Sequence, residues 1–92
     1  MRNRKRKPLR EKVVDAIELP KEIVLSVPKI TILAGKEALV ENYKGIIELS
    51  PEIIRLYTGA GVLCFTGMGL DIASITDEDI SILGSITKIE FE

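Results

Sequence analysis

The amino-acid sequence predicts an all-β fold, a small antiparallel sandwich or barrel of about eight short strands preceded by one short helix. Fourteen of the 92 residues are isoleucine, and aromatic residues make up only 4% of the chain. Branched aliphatic side chains pack well on a pleated sheet and lose rotamer freedom in helices. Turn residues recur every 6–12 positions, which is typical of short antiparallel strands.

A parallel β-helix is the alternative architecture, because regularly spaced segments bounded by glycine look similar in both folds. The segments of this chain have no fixed period, however. The antiparallel sandwich is therefore the preferred prediction, and a chain of this length is expected to form one domain.

A strongly basic segment precedes an acidic body. The first twelve residues contain seven bases and one acid, a charge of +6, whereas the remaining eighty contain six bases and thirteen acids, a charge of −7. Residues 1–7 are too polar to offset the entropy of ordering by burial, so they are predicted to form a flexible tail. The candidate residues for electrostatic contact with a membrane or partner are Arg2, Arg4, Lys5, Arg6, Lys7, Arg10 and Lys12.

Residues 8–19 are predicted to form a short amphipathic helix. Pro8 suits the first position of a helix, and Pro20 disfavours a helical conformation at the residue before it. The β-domain is therefore expected to cover residues 20–92. The apolar face of the predicted helix consists of Leu9, Val13, Ala16 and Ile17.

The first half of the β-domain is predicted to contain two strands and then a hairpin. The segments EIVLSV at 22–27 and KITILAG at 29–35 favour strands, and Pro28 between them marks a bend or an edge position. Two further apolar runs flank ENYKG at 41–45, where asparagine can start a turn and glycine can adopt a positive φ. The dipeptide SP at 50–51 predicts the next turn.

The second half of the β-domain is predicted to contain short strands separated by turns. The segment at 52–58 alternates, with Ile54 and Leu56 on one side of the strand. The last stretch, from residue 79, changes the phase of its alternation beside Gly84, which indicates a β-bulge or a loop between two shorter strands. The predicted turns are GAG at 59–61, GMG at 67–69 and TDED at 76–79.

The side chains present exclude several kinds of chemistry. The chain has no histidine, which removes imidazole-based catalysis and imidazole metal sites, and one cysteine cannot build a zinc site. Cys64 lies in the apolar run GVLCFTG and is predicted to be a buried, inert thiol. Neither glycine pair matches a phosphate-binding loop, and the acids at 71–79 lack the spacing of a calcium loop. We therefore expect no enzymatic activity, cofactor or metal.

The composition favours a cytoplasmic protein. A lone thiol fits a reducing compartment. No apolar run reaches the ~18 residues that a membrane span needs, and no apolar stretch follows the basic start as it would in a signal peptide. We expect the basic segment to be retained and any membrane contact to be peripheral.

Three partners are considered for the basic segment. Each Lys or Arg near an anionic leaflet contributes about 1 kcal/mol, so six or seven could hold a small protein reversibly at a membrane. Nucleic acid is less favoured, because no aromatic residues interleave with the bases and the acidic body repels phosphates. A complementary acidic protein is the third partner. In the alternative interpretation, the basic segment has no partner and only keeps the protein soluble.

Several short segments follow one another in a distinctive order. They are LP at 19–20, PKITI at 28–32, VENYKGI at 40–46, GVL at 61–63, LDI at 70–72 and ILGSITKIEF at 82–91. This ordered set resembles the YabP/YqfC family of bacterial sporulation proteins over residues 10–92, and most of all its YqfC branch. Tyr43 stands where the family commonly has histidine, which argues further against a catalytic imidazole.

The resemblance implies a protein made in the mother cell during formation of the spore envelope. It also implies an immunoglobulin-like β-sandwich, a membrane-protein partner of the YqfD type, and no catalytic residue. We therefore expect a non-enzymatic adaptor or scaffold at the mother-cell membrane. The alternatives are a structural protein of the spore envelope that assembles with copies of itself, and a nucleic-acid binder that acts through the basic segment.

Overall fold

The computed structural model of the protein describes residues 27–92, which form one antiparallel sheet of six strands. Within this range the chain contains no helix. The strands lie side by side in the order β1-β2-β6-β5-β4-β3. Their bounds are β1 Lys29–Leu33, β2 Glu37–Glu41, β3 Tyr43–Leu49, β4 Ile53–Thr58, β5 Gly61–Ile75 and β6 Asp79–Phe91.

Within residues 27–92 the all-β prediction is confirmed, but the strands there are fewer and longer than expected. The predicted tail at 1–7, the predicted helix at 8–19 and almost all of the predicted strand at 22–27 lie outside the described residues. Within residues 27–92 there are six strands, where the sequence predicts about eight along the chain. One reason is that the two segments on either side of GMG form the single strand β5.

The long hairpin of β5 and β6 joins the two ends of the sheet. The first residues of β6 pair with β2, from Asp79 opposite Glu41 to Leu83 opposite Glu37. The first residues of β5 pair with β4, from Gly61 opposite Thr58 onward. Each hairpin strand therefore has one outer neighbour along its first part only. Beyond these pairings, Gly67 and Leu70 of β5 donate to carbonyl oxygens of the β3–β4 turn, and Gly84 and Ile86 of β6 donate to those of the β1–β2 turn.

The predicted turn GMG at 67–69 is wrong, because these residues lie within β5 and face β6. Glycine punctuates a strand at a bulge as readily as it ends one at a turn. The register between β5 and β6 shifts near this segment, and again where Thr87 is an extra residue of β6. The phase change in the last stretch is therefore a β-bulge within one continuous strand, which was one of the two interpretations of that pattern.

Gly84 allows the two hairpin strands to approach each other closely. Its φ is 138°, and a Cβ added there would lie 2.7 Å from the carbonyl oxygen of Gly69. We expect Gly84→Ala to lower the free energy of unfolding by at least ~2 kcal/mol, from backbone strain and this overlap together. Gly69→Ala is the matched control: φ is 62° but nothing lies within 4 Å of the added Cβ, so about 1 kcal/mol is expected. Urea unfolding measures both, and equal losses would contradict the close approach.

The predicted hairpin around ENYKG is also wrong. β2 pairs with β1 and β6, whereas β3 pairs with β4, so β2 and β3 are not neighbours in the sheet. The positive φ lies at Asn42, where it is 69°, and not at Gly45 as predicted. Asn42 forms a corner between two strands with different partners. The sequence pattern of two apolar runs around a turn residue is the same in both cases.

The corner at Asn42 is held by the turn between β5 and β6. The backbone N–H groups of Asn42 and Tyr43 donate to the carbonyl oxygen of Glu78, at 2.7 and 3.1 Å. The Tyr43 hydroxyl donates to the carbonyl oxygen of Thr76 at 2.8 Å. Tyr43 is buried, so its ring contributes to the core while its hydroxyl satisfies a backbone acceptor.

One hydrophobic core draws side chains from both ends of the sheet. The alternation predicted for β4 is confirmed, because Ile54 and Leu56 are completely buried. Phe65 on β5 is the largest completely buried side chain of the described residues. The core consists of Ala38, Val40, Tyr43, Ile54, Leu56, Leu63, Phe65, Leu70, Ile80 and Ile82.

Candidate functional site

The seven basic residues that the sequence singles out for electrostatic contact all lie outside the described residues. They are Arg2, Arg4, Lys5, Arg6, Lys7, Arg10 and Lys12. The structure describes the body to which this segment is attached. Residues 27–92 contain ten acids and five bases, so the described sheet carries a charge of −5. The functional surfaces that can be located are therefore those of an acidic β-domain.

The acidic turn at 76–79 is a solvated turn, as predicted. The hydroxyl of Thr76 accepts hydrogen bonds from the backbone N–H groups of Asp79, at 2.9 Å, and Glu78, at 3.3 Å. Asp77 and Glu78 are exposed. The turn is thus stabilised by a threonine hydroxyl and backbone groups, and its carboxylates contribute negative charge to the surface.

A row of polar side chains crosses four strands on one face of the sheet. The register places Glu48 of β3 opposite Arg55 of β4, Arg55 opposite Cys64 of β5, and Cys64 opposite Glu90 of β6. The Arg55 guanidinium donates to the carboxylate of Glu48 and, at 3.1 Å, to that of Glu92. The hydrogen bond to Glu92 and then that to Glu48 raise the pKa of Arg55 above its ordinary value.

Cys64 lies beneath this polar row. Its side chain is 3% exposed and forms no disulfide, so the predicted burial of the thiol is confirmed. The sulfur lies 4.0 Å from the Thr66 hydroxyl. Arg55 and Glu90 lie opposite Cys64 on the two neighbouring strands.

The carboxylates of Glu90 and Glu92 lie near the thiol of Cys64, but both already have cationic partners. The potential ligand atoms of Cys64, Glu90 and Glu92 lie within 4.8 Å of one another. Arg55 binds Glu92, however, and Lys88 lies 3.4 Å from Glu90. The carboxylates thus already have cationic partners, and a thiolate with two carboxylates is a mixed soft and hard ligand set. We interpret the row as an ion-pair layer that covers the thiol.

Three exposed leucines form an apolar patch on the outer face of β1, β2 and β6. Leu33 and Leu83 flank Glu37 in one cross-strand row, and Leu39 lies in the next row, opposite Ser81. The exposed fractions of Leu33, Leu39 and Leu83 are 65%, 37% and 45%. We call Leu33, Leu39 and Leu83 the leucine patch. Apolar side chains grouped on a surface mark sites of interaction more often than isolated ones do.

Sequence reasoning missed the leucine patch, although a signal for it exists. In the segments around Leu39 and Leu83, both phases of the strand alternation are apolar. One phase supplies core residues such as Val40 and Ile82, and the other phase supplies the patch. A strand with apolar side chains on both faces either buries both faces within the protein or presents one face to a binding partner.

The comparisons with known proteins agree on one family. A family model described as the YabP family matches residues 25–92. The chain is similar to the protein named "Uncharacterized protein YqfC" of Bacillus subtilis (strain 168), with 26% identity over 76 residues that cover 83% of this chain and 82% of the relative. No solved structure matches the chain. Among residues 27–92 there is no helix long and apolar enough to cross a membrane. Because the family model covers the whole of the described sheet and most of the chain, the protein belongs to the YabP family.

Proposed function

We propose that this protein is a non-enzymatic adaptor in endospore formation. Its basic segment holds it at the mother-cell face of a membrane, and its β-domain binds a protein partner, for which a membrane protein of the YqfD type is the proposed class. Membership of the YabP family supports the sporulation context. The observation that carries the membrane role is the division of charge: residues 1–26 contain eight bases and four acids, whereas residues 27–92 contain ten acids and five bases.

This division of charge favours a defined orientation at an anionic surface. Each base near the lipid headgroups contributes about 1 kcal/mol of attraction, and the attraction falls off within a Debye length of about 10 Å. The acidic β-domain is repelled by the same surface. The basic segment therefore approaches the membrane while the β-domain faces the cytoplasm, where a partner can reach it.

The polar groups of the described surface support binding rather than catalysis. The Arg55 guanidinium is held between two carboxylates. These carboxylates stabilise the positive charge and so raise the pKa of Arg55, which is charged in any case. Within residues 27–92 every buried side-chain nitrogen or oxygen has a hydrogen-bond partner. Catalytic sites instead tend to combine a cleft with acids or bases whose pKa is moved toward the working pH.

The leucine patch is the proposed contact surface for the partner. Its three side chains lie on the outer face, away from the core residues of the same strands. Glu37 lies between Leu33 and Leu83, and Asp71 lies opposite Leu83 on β5, so two acids stand among and beside the leucines. A partner whose contact surface combines apolar and basic side chains fits this arrangement.

The finer form of the fold is also part of the proposal. We propose that the sheet folds over the hairpin of β5 and β6 into an immunoglobulin-like β-sandwich. The observation behind this is that one core cluster contains residues of β2 and β6 together with residues of β4 and β5. In the order of the sheet, β2 and β4 are separated by the two strands of the hairpin.

Co-purification from sporulating cells tests the adaptor function. We expect Leu33→Asp combined with Leu83→Asp to remove the partner, because two charges would enter an apolar interface, while the protein stays in the membrane fraction. Met68→Asp is the matched control, since Met68 is 71% exposed but lies outside the leucine patch. Retention of every partner by the double variant would contradict the proposed surface.

A self-assembling structural protein is the second candidate function. Within the described residues β1 and β3 each have only one neighbouring strand, and such edges can pair with a second chain. Light scattering on the purified full chain discriminates the two. Growth of particles with concentration supports assembly, whereas a constant small size supports the adaptor.

A further inference from the structure

The edge strand β3 exposes apolar side chains that a soluble domain usually covers. Ile46, Ile47 and Leu49 are 39%, 41% and 54% exposed. Among residues 27–92, β4 is the only strand beside β3. Exposed edges with apolar side chains are liable to pair with any available strand, so a stable protein needs something to cover them.

The path of the chain brings the described residues before β1, Val27 and Pro28, to the start of this edge. β2 continues through the corner at Asn42 directly into β3, and β1 pairs with β2 up to Lys29 opposite Glu41. The chain that precedes β1 therefore reaches the sheet where β3 begins. The Asn42 side-chain amide donates to the carbonyl oxygen of Val27 at 3.1 Å, which fixes this chain beside the corner.

The register between β1 and β2 can be continued across the corner. Antiparallel pairing advances one residue on each strand, so Val27 comes opposite Tyr43 and residues 23–25 come alongside residues 45–47. Residues 21–27 and β3, Tyr43–Leu49, each comprise seven residues and so have the same extended length.

The composition of the segment suits the edge. Residues 22–27 read EIVLSV, which favours a strand and is apolar in both phases at residues 23–25. Its apolar side chains can therefore cover Ile46 and Ile47 even if the register shifts by one residue at the bulge between Tyr43 and Gly45. A segment that alternated strictly would tolerate no such shift.

We propose that residues 21–27 pair with the open edge of β3 as an additional antiparallel strand. The chain then pairs with β3 before Pro28 and with β2 after it, so that it follows the corner between β2 and β3 at Asn42. Because β3 runs toward Ser50, residue 21 then lies at the end of the molecule formed by the β3–β4 turn. This pairing is independent of whether the basic segment binds a membrane.

Amide hydrogen exchange of the full chain, followed by NMR, tests this proposal. In the natural sequence we expect the β3 amides that do not bond to β4 to be protected. Leu25→Pro should increase their exchange rate by at least ~10-fold while β4 and β5 amides stay unchanged, because proline removes a donor and disrupts a strand locally. Arg4→Pro is the matched control in the predicted tail and should change none of them.

A second measurement keeps the test decisive if Leu25→Pro fails to fold. Nuclear Overhauser contacts between residues 23–25 and residues 45–47 are expected in the natural sequence at low concentration. Free exchange of the outward β3 amides in the natural sequence would overturn the proposal. Protection that rises with protein concentration would also overturn it, because a second copy would then occupy the edge.

Discussion

Replacing the seven N-terminal bases by glutamine is expected to weaken binding to anionic vesicles by ~10⁵-fold, since each base contributes about 1 kcal/mol and about 1.4 kcal/mol corresponds to tenfold. The substituted residues are Arg2, Arg4, Lys5, Arg6, Lys7, Arg10 and Lys12. Co-sedimentation with vesicles rich in phosphatidylserine measures the effect. The affinity of the unchanged chain should also fall steeply with salt, because the Debye length shrinks from about 10 Å at 0.1 M to about 3 Å at 1 M.

The control for this experiment changes the same residue type elsewhere. Lys29→Gln with Lys36→Gln removes two exposed charges from the acidic β-domain and should leave vesicle binding nearly unchanged. Vesicles of neutral lipid should bind neither protein. Binding to anionic vesicles that persists after deletion of residues 1–7 would contradict an electrostatic tail, as would binding that salt does not affect.

The parts of the fold that were predictable are those in which a local pattern has one physical cause. The alternation in β4 leaves Ile54 and Leu56 buried because a strand with one face on a core has a period of two. The turns after Leu49 and after Thr58 are confirmed because serine and threonine hydroxyls hold them: Ser50 bonds to Ile53, and Thr58 bonds to Gly61. Such contacts span three residues and are encoded locally.

The parts that were mispredicted are those in which one pattern has two causes. A glycine-rich triplet such as GMG at 67–69 can end a strand or form a bulge within it, and only its partner strand decides between them. Asn42 was correctly recognised as a turn residue, yet the following strand pairs with β4 rather than folding back on β2. Strand order depends on the burial of distant side chains, which a short sequence window does not contain.

The candidate sites also divide into those that a local stretch of sequence encodes and those that depend on strand pairing. The basic segment is contiguous, so its charge is evident from the sequence alone. The row from Glu48 through Arg55 to Glu90 spans four strands, and its members become neighbours only through the strand register. The leucine patch likewise depends on which strand lies between which others. Surfaces built across strands therefore need the structure before they can be tested.

The second large effect concerns the core, where Phe65→Ala is expected to lower the free energy of unfolding by about 3–5 kcal/mol. Phe65 is completely buried, so its removal leaves a cavity in the hydrophobic core. Domains of this size have a total stability near the low end of about 5–15 kcal/mol. Thermal unfolding followed by circular dichroism measures the loss, at about 4–8 °C per kcal/mol.

Phe91→Ala is the matched control for this loss, because Phe91 is the same residue type but 49% exposed at the end of β6. Its loss should stay near 1 kcal/mol, since half of the side chain remains in water. Equal losses for the two variants would contradict the assigned core. The Phe65 variant also separates the two parts of the proposed function. It keeps the whole basic segment, so it should still bind anionic vesicles even where the sheet has unfolded, whereas binding of the protein partner should be lost together with the fold.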